Sequence, residues 1–141
     1  MMGEATRIEK DSMGQMEVPA GVLYGASTQR AVMNFPDSGK RVPGEVIRAF
    51  GLLKSACAGV NAQLGKLDSG RAEKIAAACA QIAAGLPEHG GLATHFPVDT
   101  FQTGSGTSTN MNTNEVVANL VCLAMGEPIG KGKDPVFIER G

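Results

Sequence analysis

Residues 101–115 carry most of the chemistry that this chain could perform, and they read FQTGSGTSTNMNTNE. Hydroxyl side chains, asparagines and two glycines crowd this run, and its only apolar residues are Phe101 and Met111. Buried hydroxyls and amides are costly unless each finds a partner, so a hydrophobic core does not need such a run. A dense set of neutral hydrogen-bond donors just before a helix is instead typical of a site that holds an anion.

The centre of this run, Thr103-Gly104-Ser105-Gly106-Thr107, places a glycine on either side of Ser105. Glycines let a ligand approach the backbone amides, and each hydroxyl can donate a hydrogen bond to a carboxylate or phosphate oxygen. A P-loop would need a lysine after the glycines, and a serine nucleophile would need a GxSxG elbow with Asp and His partners; the run provides neither pattern. The alternative is a glycine-rich connector whose hydroxyls only cap the next helix.

The composition indicates one globular domain without a basic surface. The chain has 141 residues, of which 43% are hydrophobic and only 4% aromatic, so a core of aliphatic side chains in close-packed helices is favoured. A formal net charge of −1 gives no field that would attract nucleic acid or a membrane surface, and we expect neither partner. The charged N-terminus does not resemble a signal peptide and no apolar run approaches a membrane span, which predicts a cytoplasmic location.

Cysteine and histidine, the residue types that most often bind metals, do not cluster in this sequence. Cys57, Cys79 and Cys122 are widely spaced within apolar helical patterns, so we expect small hydrophobic side chains and no zinc site. His89 and His95 lie in an irregular segment before the polar run. With no carboxylate or cysteine at ligand spacing, we expect both to be simple surface groups.

The hydrophobic periodicity predicts a mainly α fold with a short β ribbon near the N-terminus. The predicted elements are a two-stranded ribbon at 6–19 that turns near Gly14, and helices at 27–33, 43–64, 69–84 and 112–125. The longest helix has apolar residues at alternating steps of four and three, which places them on one face. This face consists of Val46, Phe50, Leu53, Cys57, Val60 and Leu64.

The predicted helices at 69–84 and 112–125 each have a capping residue at the N-terminus and a stripe of apolar residues. Asp68 or Ser69 is the expected N-cap of the helix at 69–84, and Asn112 with Glu115 resembles a capping pair for the helix at 112–125. The predicted apolar stripe of the former is Ile75, Cys79, Ile82 and Leu86. The predicted apolar face of the latter is Val116, Val117, Leu120, Val121 and Ala124.

Taken together, several runs of the sequence resemble the N-terminal part of the fumarase/aspartase superfamily, and most closely the class II fumarate hydratases. The matching runs are RIEKDSMG at 7–14, VP at 18–19, YGASTQRAVMNFP at 24–36, FPVD at 96–99 and FQTGSGTSTNMNTNEVVAN at 101–119. The last run is highly specific because many positions agree together. Its TGSGT form is that of the fumarases, whereas aspartate ammonia-lyases typically show GGAGT. The FPVD and TSTNMNTNE portions occur in both groups, so aspartase stands as the alternative.

The resemblance implies a lyase of the tricarboxylic acid cycle that adds water reversibly to fumarate to give (S)-malate, without metal or organic cofactor. Neutral donors suit this reaction because they strengthen as charge builds on a substrate carboxylate in the transition state. Carried over by position, Ser105, Gly106 and Thr107 match the substrate-binding loop of the family. Thr103 and Asn110 are weaker candidates that would support this loop. If the carry-over holds, the Ser105 and Thr107 side chains should be accessible to solvent.

The resemblance also implies that the family's active site is assembled from three subunits of a homotetramer. Its other segments, a Thr-His region and a GSSxMPxKxN loop that carries the proposed base, do not occur in the 141 residues, so we expect no catalytic residue here. At 137–141 the sequence also departs from the family's His-Pro-Asn-Asp run. We therefore expect 1–141 to be the N-terminal domain only and to be inactive alone. The other alternative is a non-catalytic binding or assembly module.

Overall fold

A computed structural model of the chain describes residues 3–35, 37–101 and 106–130. Its first element is an antiparallel ribbon in which β1 (Thr6–Asp11) pairs with β2 (Gly14–Pro19), in register from Thr6 opposite Pro19 to Asp11 opposite Gly14. Gly14 has φ +120°, a conformation that side chains rarely adopt, and it closes the turn. The predicted ribbon and its turn near Gly14 are confirmed.

Four α-helices make up most of the described chain, which confirms the mainly α fold class. They are α1 (Ala26–Asn34), α2 (Gly44–Gln63), α3 (Ser69–Ala83) and α4 (Thr107–Ala124), with a 3₁₀ turn at Pro87–His89. The Asp68 side chain accepts a hydrogen bond of 3.1 Å from the amide of Arg71, so the predicted N-cap of α3 is correct. None of the helices described is long and apolar enough to cross a membrane.

The core lies where the α2–α3 hairpin packs against α4 and against the segment that follows β2. The predicted stripe of α3 is buried throughout, and so is most of the predicted face of α4, although Ala124 is exposed. The largest fully buried side chains are those of Phe96, Leu23, Ile82, Leu86 and Leu120. Burial of these side chains is the main source of stability, at about 1.5–3 kcal/mol for each large aliphatic or aromatic group.

The face of α2 that packs against the core is not the one that the apolar repeat predicts. Val46, Leu53 and Val60 are 43%, 59% and 52% exposed, and Leu64 at the end of the helix is 63% exposed. The buried residues of α2 are instead Ile47, Gly51 and Ala58.

Close helix packing explains this difference. A Cβ atom added at Gly51 would lie 2.9 Å from the carbonyl oxygen of Cys79 on α3, so the two backbones meet where α2 has no side chain. The small residues of α2 therefore face α3, and the larger apolar residues face outward. Periodicity identified the helix correctly but assigned the wrong face to the core.

The three cysteines have two different environments. Cys79 and Cys122 are fully buried, as predicted, whereas Cys57 lies on the outward face of α2 and is exposed. Burial raises the pKa of the Cys79 thiol to about 11, so this thiol is neutral at pH 7. The expectation of a buried hydrophobic role is therefore wrong for Cys57 alone.

Candidate functional site

The described part of the polar run at 106–115 belongs to the first half of α4 and its N-cap. Helix α4 begins at Thr107 rather than at the predicted residue 112, and Gly106 is its N-cap with φ +76°. Thr107 is exposed, as predicted. Thr103 and Ser105 lie outside the described residues, so their predicted positions stay predictions.

Much of the second half of the run is buried, although a hydrophobic core does not need such polar side chains. Thr109, Asn112, Thr113, Asn114 and Glu115 are all at most 6% exposed. They are tolerated because the helix satisfies their backbone groups and several side chains have partners within the protein. Thr113 Oγ1 donates to the Thr109 carbonyl at 2.9 Å, and Asn112 Nδ2 donates to the His95 carbonyl at 2.8 Å.

Two buried acceptors on this helix have no hydrogen-bond partner among the described residues. They are the side-chain oxygens of Asn112 and Asn114. An unsatisfied buried polar atom costs about 1–3 kcal/mol, so such atoms in a native protein indicate a partner or a function. Asn114 lies two turns after Thr107, on the same side of α4.

Glu115 caps another helix rather than its own. Its carboxylate accepts three hydrogen bonds at the start of α1: from the amide of Ser27 at 3.0 Å, from the amide of Thr28 at 2.8 Å and from Thr28 Oγ1 at 2.6 Å. The predicted pairing of Glu115 with Asn112 is wrong because α4 starts five residues earlier than expected. Burial raises the pKa of the Glu115 carboxyl, while the bonds from Thr28 and Ser27 oppose this shift.

Gly25 allows this capping interaction because it has no side chain. A Cβ atom added at Gly25 would lie 2.6 Å from Glu115 Oε2 and 2.7 Å from Glu9 Oε1. Glu9 pairs with Arg7, whose guanidinium also donates to the carbonyl oxygens of residues 19, 20, 22 and 24. Residues 20–25, which have no regular structure, are thus fixed between the ribbon and α4.

His95 is a buried structural residue, so the expectation that both histidines are surface groups is wrong for this one. It is 2% exposed, its Nδ1 accepts from the amide of Leu23 at 3.0 Å, and its Nε2 lies 2.9 Å from the carbonyl oxygen of His89. This pattern fits the neutral ring with its proton on Nε2. Burial is the main cause that lowers the pKa of His95.

Asn119, further along α4, also joins distant parts of the chain through hydrogen bonds of its side chain. Its Nδ2 donates to the Leu23 carbonyl at 2.7 Å, and its Oδ1 accepts from the amide of Gly130 at 2.9 Å. Sequence reasoning missed Asn119, His95 and Glu115 because their partners lie far away in the chain. For Asn119 the one signal was a polar residue among apolar positions of the helix.

Asn110, the predicted supporting residue, is the point where α2 meets the start of α4. The ammonium nitrogen of Lys54 on α2 donates to Asn110 Oδ1 at 2.7 Å. The amide of Asn110 already bonds to the Gly106 carbonyl at 3.0 Å, so this residue closes the first turn of α4. Gly106, Thr107 and Asn110 therefore share one helix terminus, whereas the sequence predicted that they precede the helix.

The terminus of α4 provides an electrostatic environment that suits an anion. The first-turn amides of a helix point away from its body and carry about half a positive charge together. Gly106 offers no side-chain oxygen to accept from these amides. Among the described residues no group of three or more potential metal ligands comes together. The first turn of α4 itself therefore offers hydrogen bonds from neutral donors.

Comparison with known proteins finds a matching family and proteins of similar sequence. The model of a family described as "Lyase" matches residues 14–134. A protein named fumarate hydratase class II from Prochlorococcus marinus is 50% identical over 130 residues, which cover 92% of this chain and 27% of that protein.

Two solved structures share the fold of this chain. A class II fumarase from Schistosoma mansoni is 31% identical, with a TM-score of 0.82 over 94% of this chain and 28% of that one. A protein from Brucella melitensis described as fumarate lyase:delta crystallin bound to cobalt is 37% identical, with a TM-score of 0.85 over 96% of this chain and 29% of that one. The chain spans about a quarter of the length of the curated relatives it matches.

Proposed function

Because this chain belongs to the lyase family whose model matches residues 14–134, we propose that it is the N-terminal part of a class II fumarate hydratase. In this role it contributes a substrate-binding segment to the reversible hydration of fumarate to (S)-malate. The names of the relatives and their 50% identity over nearly the whole chain support the choice of fumarase. Aspartate ammonia-lyase is the alternative reaction.

The observation that carries the proposal is the position of Thr107. It is exposed in the first turn of α4, directly after a glycine N-cap with positive φ, and the buried remainder of the polar run holds this turn in place. A carboxylate placed there would receive hydrogen bonds from amides and from the Thr107 hydroxyl. We propose Ser105, Gly106 and Thr107 as the substrate contacts, with Thr103 and Asn110 in support.

The chemical step requires groups that we place outside these residues. Removal of the proton beside the carboxylate needs a base, and we propose that other segments of a homotetramer supply it. The donors at the start of α4 would stabilise the negative charge that then builds on the carboxylate. We therefore expect the 141 residues alone to show no hydratase activity, and we retain a cytoplasmic location as a prediction.

The proposal can be tested with a chimera in which residues 1–130 replace the matching part of the Prochlorococcus marinus relative. Loss of fumarate is followed by ultraviolet absorbance, with and without ammonium, and the product is identified. Formation of malate without ammonium supports the hydratase. Turnover only with ammonium would establish an aspartase instead, and an inactive but correctly assembled chimera would contradict both.

One observation favours a second candidate, an assembly module. The outward face of α2 exposes Val46, Leu53, Val60 and Leu64 without any charged residue between them in the same stripe. An uncharged apolar stripe meets no like-charge repulsion when it faces a second copy of itself, and we propose self-association through this stripe as the alternative. Size-exclusion chromatography over a range of concentrations tests this: self-association that Leu53→Lys abolishes supports it, and a monomer at all concentrations contradicts it.

A further inference from the structure

Lys54 is a half-buried cation that no carboxylate neutralises within the described part of the chain. The two ion pairs found there join Arg7 to Glu9 and Arg30 to Asp11, both far from α2 in sequence. The hydrogen bond given for Lys54 is the one of 2.7 Å to Asn110 Oδ1, a neutral acceptor. Burying a charge without a counter-charge is costly, so a lysine in this position is more than a packing residue.

The other groups around Lys54 do not offset its charge. Burial lowers the pKa of the Lys54 ammonium, and the charges that act in the opposite direction are those of the Cys79 and Cys57 thiols. The Cys79 thiol, with a pKa of about 11, is protonated at pH 7. The hydrogen bond to Asn110 Oδ1 brings the positive charge of Lys54 to the first turn of α4.

Helix geometry places Asn110, the residue that Lys54 contacts, next to Thr107, one of the proposed carboxylate contacts. Asn110 follows Thr107 by three residues, so their side chains are neighbours on one side of α4, about 4.5 Å apart along its axis. By donating to Oδ1, Lys54 also fixes the orientation of the Asn110 side chain, so that its Nδ2 donor faces away from Lys54. The positive charge of the ammonium and the positive end of the α4 dipole would then both attract an anion.

We propose that Lys54 is the positioning residue of this site: it orients Asn110 and supplies the positive charge that selects a dianionic dicarboxylate at Thr107. This inference rests on the proposed function and deepens it, because it assigns the charge that the neutral run of residues 103–110 lacks. A purely structural tie between α2 and α4 is the competing explanation, and the two differ in one respect. A structural tie between α2 and α4 requires only the hydrogen bond from Lys54 to Asn110, whereas selection of a dianion requires the positive charge of Lys54.

Three variants separate these explanations. Lys54→Met removes the charge and the bond, Lys54→Arg keeps the charge, and Asn110→Asp keeps a contact to Lys54 but neutralises it. Isotope-labelled chain is titrated with fumarate at low, constant ionic strength, and the amide shifts of Gly106 and Thr107 are followed by NMR. Thermal unfolding of each variant reports the structural tie independently.

We expect Lys54→Met and Asn110→Asp to weaken fumarate binding roughly tenfold or more, although Asn110→Asp unfolds no earlier than the wild type. Lys54→Arg should bind within a few-fold of the wild type. Equal fumarate affinity in the wild type, Lys54→Met and Asn110→Asp would overturn the inference and leave the proposed function standing.

Inorganic phosphate is the second probe, and it separates the two proposals. If phosphate shifts Gly106 and Thr107 in a Lys54-dependent manner but fumarate does not, Lys54 is confirmed as a source of positive charge, whereas its selection of a dicarboxylate and the dicarboxylate function are both contradicted. If neither anion shifts these amides at millimolar concentrations in the wild type, both proposals are overturned.

Discussion

Thr28 and Glu115 are joined by two hydrogen bonds, from the amide and from Oγ1 of Thr28 to the same carboxylate oxygen of Glu115 at 2.8 and 2.6 Å. This contact links the first turn of α1 to the second half of the polar run, 87 residues later in the chain. Through it the ribbon and α1 hold α4 in place. The start of α4, where the anion is proposed to bind, is thus positioned by a side chain two turns away.

Loss of the Thr28 hydroxyl should destabilise the fold. Thr28→Val keeps the shape of the side chain but leaves a buried carboxylate oxygen short of one donor, which should lower the free energy of unfolding by about 1–3 kcal/mol. Thr28→Ser, the matched control, keeps the donor and should lose less. Urea denaturation measures both, and a Val variant as stable as the Ser variant would show that this hydroxyl contributes nothing.

Gly25 should not accept a side chain. In Gly25→Ala the new methyl group would lie within 2.7 Å of carboxylate oxygens of both Glu9 and Glu115, so we expect a loss of about 1–3 kcal/mol from overpacking. Gly21→Ala is the control, because nothing lies within 4 Å of its added Cβ atom. Thermal unfolding that ranks the two variants equally would contradict the close approach.

The two faces of α2 should respond differently to truncation. Ile47 is 3% exposed, so Ile47→Ala should cost about 2–5 kcal/mol, whereas Val46→Ala at a position 43% exposed should cost less than about 1 kcal/mol. The two residues are adjacent, so helix propensity and position in the helix are closely matched. The reverse order of stabilities in urea would restore the face predicted from the sequence.

His95 should make the protein less stable in mild acid. The folded state holds the ring neutral and its pKa lies below the usual 6.5, so between these two values the unfolded chain binds more protons. The contribution of His95 to the free energy of unfolding is therefore present above pH 6.5 and is lost as the pH falls through the folded-state pKa.

Substitution of His95 by asparagine separates the pH dependence of stability that His95 causes from that of other titrating groups. Glu115 acts in the opposite sense, because its raised pKa favours the folded state at pH values below its usual 4.5 and this advantage is lost as the pH rises. His95→Asn keeps an acceptor for the Leu23 amide and cannot titrate, so it should show a flatter pH dependence than the wild type. His89→Asn is the control, and an unchanged slope in His95→Asn would contradict the assignment.

Local patterns predicted the elements well, and long-range contacts explain the failures. The stripe from Ile75 to Leu86, the Asp68 cap and the turn at Gly14 depend on residues close in sequence, and all three were predicted. The packed face of α2 depends on how closely α3 approaches Gly51, which no periodicity within α2 can reveal. The periodicity of apolar residues predicts a helix, but the element that packs against the helix determines which of its faces is buried.

The same distinction applies to the site. The motif singled out Gly106 and Thr107, which lie at the N-terminus of α4, and their role in substrate binding stays a prediction. The roles of Glu115, His95 and Lys54 could not be predicted, because each depends on a partner 56 to 88 residues away in the chain.

The most direct test of the account concerns the hydroxyl of Thr107 in the chimera with the Prochlorococcus marinus relative. Thr107→Val removes the donor and Thr107→Ser keeps it, and kcat/KM for fumarate is measured for both. We predict a loss of about tenfold to a hundredfold for Val and a change of only a few-fold for Ser. A Val variant that hydrates fumarate as efficiently as the unsubstituted chimera would contradict the proposal that the start of α4 binds the substrate carboxylate.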